Sequence, residues 1–456
     1  MNTARFTSSQ FESLRKYLFG FPRKEAAAFA LAGLFTNDWG VHFTTREIMM
    51  PKPEDYDAQT SYHMEVSPIF FNRVISKAER ENLAVVICHS HPWAAKRLEY
   101  SSSDDYGEKT STQTLMDCLD NKPVGSLLFG PNEILGRIRN NLSSAPVLIH
   151  QVRLVDRHIV FHSTQAGKRA EKNPTREGDF SRQILAFGKQ VQRVLENLKI
   201  GIVGLGGIGS CIAEQLARLG ICNFTLIDKD TFELSNLTRV YGSIASNART
   251  HQTKVTIASR NIRKISPKVN VESIHKDVIS QKVLGRLKNC DAIFSCVDRQ
   301  APRSVINEIS YQYFIPVIDL GAGLDAQNGN LQGGTIRASL IGPSMPCLFC
   351  LDLLRPEIIT AELLPPEERL ARQREGYIQG IPTSEAASVV SFTTTAAGYA
   401  VDLFLDLFCG YIENPISNYF LDLQTFSTAR ISCTSKSCCV CVDRLGRADY
   451  KPLSAP

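Results

Sequence analysis

The chain alternates polar and apolar positions in two different rhythms, one in each half. It opens with a polar, helix-like segment, SSQFESLRKYL, and then an apolar run, AAAFALAGLF, from Ala26 to Phe35. That run is about ten residues, well short of the roughly twenty that a membrane-spanning helix needs. Arg23 and Lys24 precede it in the manner of a signal peptide, but it starts late and behind a helix-like segment, so a cytoplasmic chain is the expectation. Up to about Val160, short β-rich runs (LAVVICHS, VGSLLFG, APVLIHQVRLV) flank a helical stretch from about Ser103 to Leu119, which predicts an α+β or three-layer domain. The second half is more regular. Strand candidates KIGIVGLG, NFTLIDKD, DAIFSCVD and FIPVIDLG alternate with helical GSCIAEQLARLG and TKVTIASRNIRKIS, the βαβ rhythm of a parallel, doubly wound sheet. The charged segment ITAELLPPEERLARQREGYIQG interrupts it as a crossover loop or helix.

A polar stretch rich in Gly, Lys, Arg and Asn separates the halves and sets the expected boundaries: a domain over 1–162, a linker over 163–178 and a second domain over 179–456. With 456 residues, 43% of them hydrophobic and 21% charged, the chain can bury large cores. A net charge of +5 is small for that length and argues for neither nucleic acid nor a membrane surface as partner. Thirteen cysteines, four of them in two CxxC pairs, fit reduced thiols and metal binding better than a disulfide framework.

The run NLAVVICHSHP ends in His89, Ser90 and His91, whose alternation puts both imidazoles on one face of a strand, able to reach one cation. Downstream, Tyr100-Ser101-Ser102-Ser103-Asp104-Asp105 opens the helix. An aspartate there offers an oxygen ligand and leaves a fourth tetrahedral position for water, while Glu25 offers a base. Ser101 followed by Asp104 is also a helix cap, and two nearby histidines are often unrelated. In this order, Glu25, HSHP and SxxD resemble the JAB/MPN (JAMM) metalloprotease family, over roughly Phe11 to Leu154. The resemblance implies His89, His91 and Asp104 as zinc ligands, Glu25 as general base and Ser101 as an oxyanion-stabilising hydroxyl. Ser102 with Asp105 fits SxxD as well, so Asp105 is an alternative ligand. Members of that family cleave after the Gly-Gly tail of ubiquitin-like proteins.

In the second half Gly204, Gly206, Gly207 and Gly209 lie between a strand and a helix and aim backbone amides at a phosphate. Alone, with Asp228 ending the next strand, this also fits a nicotinamide-dependent oxidoreductase. The polar run Asp228-Lys-Asp230-Thr-Phe-Glu-Leu-Ser-Asn236-Leu-Thr-Arg239, with Lys254 and Asp298 beyond it, supplies cationic groups for a triphosphate and carboxylates for magnesium. The set resembles the ThiF/MoeB/ubiquitin-activating-enzyme superfamily, from Asp179 to Asp443. That resemblance implies adenylation of the C-terminal glycine of a ubiquitin-like or sulfur-carrier protein with ATP and Mg2+. Asp228 would hold the ribose with Asp230 beside it, Asn236, Arg239 and Lys254 the phosphates, and Asp298 the magnesium region. FSRQILAFG looks like the family's RQ helix and implies that Arg182 reaches the nucleotide across a homodimer interface.

Two CxxC pairs, Cys347 with Cys350 and Cys438 with Cys441, suit a structural zinc, with Cys439 outside the set. Many relatives carry a thioester-forming cysteine after the first pair, whereas REGYIQGIPTSEAASVVSF has none. Cys433, Cys439 or a cysteine of a conjugating or sulfur-donor partner remain for that role. The expected fold class is thus α/β: an α+β JAB/MPN-like domain followed by a Rossmann-like doubly wound adenylation domain with a four-cysteine zinc knuckle. Its cofactors would be ATP, Mg2+ and two Zn2+, one catalytic and one structural. A non-enzymatic scaffold that binds a ubiquitin-like partner is the remaining class.

Overall fold

A computed structural model describes residues 1–453 except 22, 62, 95–96, 171–178, 377–386 and 414–417, and the backbone alone of 168–170. The chain divides into two compact units. The first holds the residues before 171–178 together with Gln312–Phe314 and Arg444–Pro452; the second holds most of the rest. Among the described residues, no helix is long and apolar enough to cross a membrane.

The first unit is built on a mixed sheet. Its strands are β1 (Thr3–Phe6), β2 (Ala27–Asn37), β3 (Gly40–Met49), β6 (Ala84–Ser90), β7 (Val124–Phe129), β8 (Ile134–Arg139), β9 (Val147–Leu148), β10 (Gln151–Val155) and β11 (Ile159–Ser163); β4 (Tyr56–Gln59) and β5 (Met64–Val66) pair separately. The spatial order is β11-β10-β1-β3-β2-β6-β7-β8-β9. The apolar run Ala26–Phe35 is accounted for by burial on both faces rather than by a helix. Ala28, Ala30 and Ala32 of β2 pack with Phe11, Leu14 and Leu18 of helix Ser8–Leu18, whereas Phe29 and Leu31 pack with Phe70 and Val74 of helix Pro68–Glu81 and Leu115 of helix Ser102–Cys118. Small side chains on one face and large ones on the other make a three-layer α/β/α arrangement.

The sequence boundary needs two amendments. Within the polar stretch Ser163 ends β11 and Gln165–Ala170 is helical, while 171–178 lie outside the described residues. Arg444–Pro452, placed with the second domain by sequence, belongs to the first unit. Gly33 donates its N–H to the Gly446 carbonyl at 2.9 Å, Arg46 reaches the Leu445 carbonyl at 2.9 Å, and Arg447 reaches the Glu81 carbonyl at 2.6 Å.

In the second unit the strands are β12 (Lys199–Val203), β13 (Asn223–Ile227), β14 (Asn270–Ile274), β15 (Ala292–Ser295), β16 (Val317–Gln327), β17 (Asn330–Ile341), β18 (Asn418–Asp422) and β19 (Thr428–Arg430). Their order is β14-β13-β12-β15-β16-β17-β18-β19, parallel through β16 and antiparallel beyond. The chain leaves β12 toward β13 on one side and returns to β15 on the other, so strand order reverses beside β12. In open α/β sheets ligands bind at that reversal, beyond the strands' carboxyl ends. The charged crossover segment begins as two short helices, Pro356–Leu363 and Pro366–Arg374; residues 377–386 lie outside the described residues.

At Gly33 the closeness of Arg444–Pro452 can be measured, since a Cβ there would run into the Arg447 carbonyl group. Gly33→Val is expected to destabilise the first unit by about 1–3 kcal/mol, the usual range for overpacking. Both tryptophans of the chain, Trp39 and Trp93, lie in that unit, so urea unfolding followed by tryptophan fluorescence reads it selectively. An unchanged midpoint would mean that the tail does not pack on β2.

Candidate functional site

His89 and His91 sit where β6 ends. β6 lies between antiparallel β2, where His89 faces Ala27, and parallel β7, where His89 faces Leu128. Strand alternation sends Ser90 to the opposite face, where its hydroxyl donates to the Leu18 carbonyl at 2.9 Å. Both imidazoles are buried, and neither Nε2 has a hydrogen-bond partner. Asp104 meets them: its Oδ1 is 3.3 Å from His89 Nε2 and its Oδ2 3.3 Å from His91 Nε2. The three donor atoms lie within 4.8 Å of one another. Two buried ring nitrogens without partners, facing a carboxylate, have the donor chemistry of a two-histidine, one-carboxylate zinc site.

The same geometry separates Asp104 from Asp105. Asp104 faces the histidines, while Asp105 pairs with Arg137 at 2.7 Å and stays outside the cluster. Ser101 is the N-cap of helix Ser102–Cys118: its Oγ accepts from the Asp104 N–H at 3.1 Å, and Asp104 Oδ2 accepts from the Ser101 N–H at 2.6 Å. The Ser101 hydroxyl also donates to that oxygen at 2.8 Å, so capping and carboxylate orientation are done by one residue. Burial favours the neutral Asp104 carboxyl, but the two histidines outweigh it and hold its pKa well below the ordinary carboxylate range.

Glu25 completes this group, with Oε1 3.5 Å from His91 Nε2. Its backbone is pinned by Thr60, whose carbonyl accepts the Glu25 N–H at 3.1 Å, and by the Gln59 amide, which donates to its carbonyl at 2.9 Å. Burial raises the Glu25 pKa against the pull of the histidines. Trp93, just past the HSHP run, stacks on His91 with centroids 5.6 Å apart.

The glycine loop follows β12 at the reversal of strand order. Gly204 has φ +87, and a Cβ on it would meet the Cys296 carbonyl oxygen at 2.6 Å. Gly206 is the N-cap of helix Gly207–Arg218, with open space where a Cβ would stand, so the helix terminus is accessible to an anion. Gly207 lies against Thr393, and a Cβ on Gly209 would run into the Gly204 carbonyl. Asp228, at the end of β13, is buried and accepts from the Leu205 N–H at 2.6 Å and the Asp230 N–H at 2.8 Å, tying the loop to the polar run. Burial raises its pKa, opposed by Lys254. Lys254 in turn pairs with Asp230 at 2.7 Å.

The remaining predicted residues are less closely gathered. Asn236 is buried, and its Oδ1 accepts from the Glu233 N–H at 3.2 Å. Arg239 donates to the Ser235 carbonyl at 3.0 Å. Asp298 is exposed on the turn after β15. Arg182 is exposed on helix Ser181–Asn197. One residue that the sequence did not mark is Ser210, whose hydroxyl donates to the Gly206 carbonyl at 2.7 Å and accepts from the Tyr241 N–H at 3.0 Å.

The cysteine cluster requires a correction. Cys347, Cys350 and Cys441 come together with Cys439, not with Cys438, and the four sulfurs lie within 4.8 Å of one another. Cys347 Sγ is 3.7 Å from Cys350 Sγ and 3.3 Å from Cys439 Sγ, and Cys350 Sγ is 3.8 Å from Cys441 Sγ. The Cys439 N–H bonds to the Lys436 carbonyl at 3.1 Å, forming a turn, while Cys438 is exposed with its sulfur near Ser437. The Lys436 N–H points at Cys350 Sγ at 3.3 Å. Hydrogen bonding from Cys441 and its neighbours pulls the Cys347 thiol down, while Cys439 and Cys441 are pushed up beside it, so one thiolate is held by its neighbours' S–H groups. Four converging sulfurs, three of them largely buried, fit a closed tetrahedral metal site.

Residues 180–440, more than half of the chain, match the ThiF family. Over 177 residues, 38% of this chain and 68% of the relative, the sequence is 29% identical to the molybdopterin-synthase adenylyltransferase of Escherichia coli (strain K12). It is 26% identical over 244 residues to ubiquitin-like modifier-activating enzyme 5 of Oryza sativa subsp. japonica, 50% of this chain and 54% of that protein. It is 27% identical over 176 residues to the sulfur carrier protein ThiS adenylyltransferase of Bacillus subtilis (strain 168), 38% of this chain and 50% of that one. The chain thus spans between 50% and 68% of the length of these relatives. Among solved structures, E. coli MccB with succinimide aligns with 59% of this chain and 75% of that chain at 20% identity and a TM-score of 0.47. By the match over residues 180–440, the chain belongs to the ThiF family.

Proposed function

We propose that the second unit is an ATP-dependent adenylating enzyme for the C-terminal glycine of a ubiquitin-like or sulfur-carrier protein. The observation that carries this reading is the glycine loop at the reversal of strand order, with Asp228 fastened to it through the Leu205 N–H. The substrate carboxylate attacks the α-phosphorus of ATP, the bond to the bridging oxygen of pyrophosphate breaks, and an acyl-adenylate and pyrophosphate result. Asp228 takes the ribose, with Asp230 beside it. Arg239 and Lys254 neutralise the phosphates, and Lys254 leaves its Asp230 partner to do so. Asn236 adds a hydrogen bond, and Asp298 takes the magnesium side. Bound Mg2+ would supply further charge neutralisation at the phosphates. Arg182 acts from a second copy of the chain. Family membership favours this reading over hydride transfer to a nicotinamide, for which Arg239 and Lys254 have no task.

A second activity is favoured by the two buried histidine nitrogens in the first unit, which have no hydrogen-bond partner and face the Asp104 carboxylate. His89, His91 and Asp104 would hold a zinc ion in a JAMM-type peptidase acting on the same Gly-Gly tail, before activation or after conjugation. Zinc held there would supply Lewis acidity toward the scissile carbonyl and the attacking water. Glu25 takes the proton of the water and returns it to the leaving amine, and the Ser101 hydroxyl leaves Asp104 Oδ2 to donate to the developing oxyanion. A second zinc in the cysteine cluster has a structural role.

ATP–pyrophosphate exchange that depends on a Gly-Gly-ended carrier protein tests the first activity. Arg239→Ala and Lys254→Ala are each expected to lower kcat/KM by on the order of 10- to 100-fold, the loss of one hydrogen bond to a charged group. Nicotinamide binding without exchange would overturn the reading.

Zinc analysis of the purified chain is expected to give about two ions, one per site. Asp104→Ala should remove one and Asp105→Ala none; Cys439→Ser should remove the other, while Cys438→Ser keeps it. Glu25→Gln should retain both ions and slow cleavage of a tail-extended carrier by about 10²- to 10⁴-fold, the usual loss of a general base.

A further inference from the structure

Helix Ser102–Cys118 brings Asp104 to the histidines, yet its apolar packing lies at its other end. Its buried residues are Glu108, Thr112, Leu115 and Met116. Leu115 is roughly 16 Å along the axis from Asp104 at 1.5 Å per residue. The first turn, which carries Asp104, contributes no buried apolar side chain. What fixes that end is a group of charges around Arg137 of β8.

The Arg137 guanidinium reaches both sides of the Ser101–Asp104 cap. After it, Nη1 pairs with Asp105 at 2.7 Å, and Nε donates to Glu108 Oε2 at 2.9 Å. Before it, the guanidinium carbon stands 3.7 Å over the ring of Tyr100, whose hydroxyl donates to the Ser126 carbonyl of β7 at 3.2 Å. Glu108 is buried, and Arg139 takes its second oxygen at 2.8 Å. β7 lies beside β6, which carries His89, and β8 beside β7. The helix start is thereby tied to the same sheet as the histidines, by a planar cation that bridges two carboxylates and stacks on a ring, which lysine does not reproduce.

We infer that Arg137 is a positioning residue for metal binding: it holds the Asp104 carboxylate against His89 and His91. This rests on the reading of those three residues as a zinc site. Arg137 is not one of the clustered donors: it contacts Tyr100, Asp105 and Glu108 on either side of Asp104 and acts by fixing the helix start that carries it.

Cobalt(II) titration of the full-length chain, with a competing chelator, separates the two metal sites. The cysteine cluster gives a thiolate-to-cobalt charge-transfer band, and the His89–His91–Asp104 site gives d–d absorption without one. Arg137→Met is expected to weaken cobalt binding at the histidine site by about 10- to 100-fold, leaving the thiolate band unchanged. Arg137→Lys should recover only part of that loss. In an Asp104→Ala background, where cobalt is titrated to concentrations high enough to read the residual binding of His89 and His91, Arg137→Met should add no further weakening.

Wild-type affinity in a folded Arg137→Met chain, or an additive loss in the Asp104→Ala background, would overturn the positioning role while leaving the zinc reading in place. A wild-type chain that shows only the thiolate spectrum would overturn the zinc reading itself. Should Arg137→Met fail to fold by tryptophan fluorescence, Asp105→Asn removes one arm of the clamp at a side chain 55% exposed. It is then expected to weaken the same site by a few-fold, and an unchanged affinity would overturn the role.

Discussion

A strand buried on both faces can offer reactive groups to solvent only where it ends, and this constraint governs both units. In the first, β6 runs through the middle of a sheet covered by helices and ends in His89 and His91. In the second, β12, β13 and β15 end in the glycine loop, Asp228 and the turn that carries Asp298. Inside such a sheet every backbone polar group is committed to the ladder, and every side chain to a packed layer. At the carboxyl ends both commitments lapse, and side chains with unmet hydrogen-bonding capacity become tolerable.

Groups at those ends still have to be held. The chain uses fixed dipoles and charges for this more than apolar contact. Asp228 is held by two backbone N–H groups, Asp104 by the cap of its own helix, and Glu25 by the backbone and amide of the β4–β5 hairpin. For Asp228 and Asp104 these donors act on the carboxylate itself and limit its freedom before any ligand arrives; for Glu25 they fix the main chain from which the side chain projects. The Arg137 network follows the same pattern with side chains.

Much of the fold was legible because local period and long-range packing agree. The βαβ rhythm of the second half, the glycine loop and the alternation of HSHP all declare themselves within a few residues. The apolar run Ala26–Phe35 could be read as too short for a membrane, but its role as a strand packed on two layers depends on helices distant in sequence. Asp104 and Asp105 could not be separated by spacing, since adjacent positions of a helix differ by about 100° in direction and only the cap and Arg137 decide which one faces inward. The second cysteine pair misled for a similar reason. Cys438 and Cys441 satisfy the spacing of a knuckle, but the turn at Lys436 sends Cys438 to solvent and Cys439 inward. Arg137 carried no signal at all, because an arginine near a strand end is ordinary until the helix it grips is known.

The first unit is discontinuous along the chain, and that has a consequence for how it is made. β2 is among the early segments to leave the ribosome, while Arg444–Pro452, which covers Gly33 and receives Arg46, is synthesised only after nearly all of the second unit. Until then part of the β2 surface stays uncovered, and the two histidines at the end of the neighbouring strand belong to an unfinished domain. The first unit can therefore complete its fold only after the residues between its two parts have been translated.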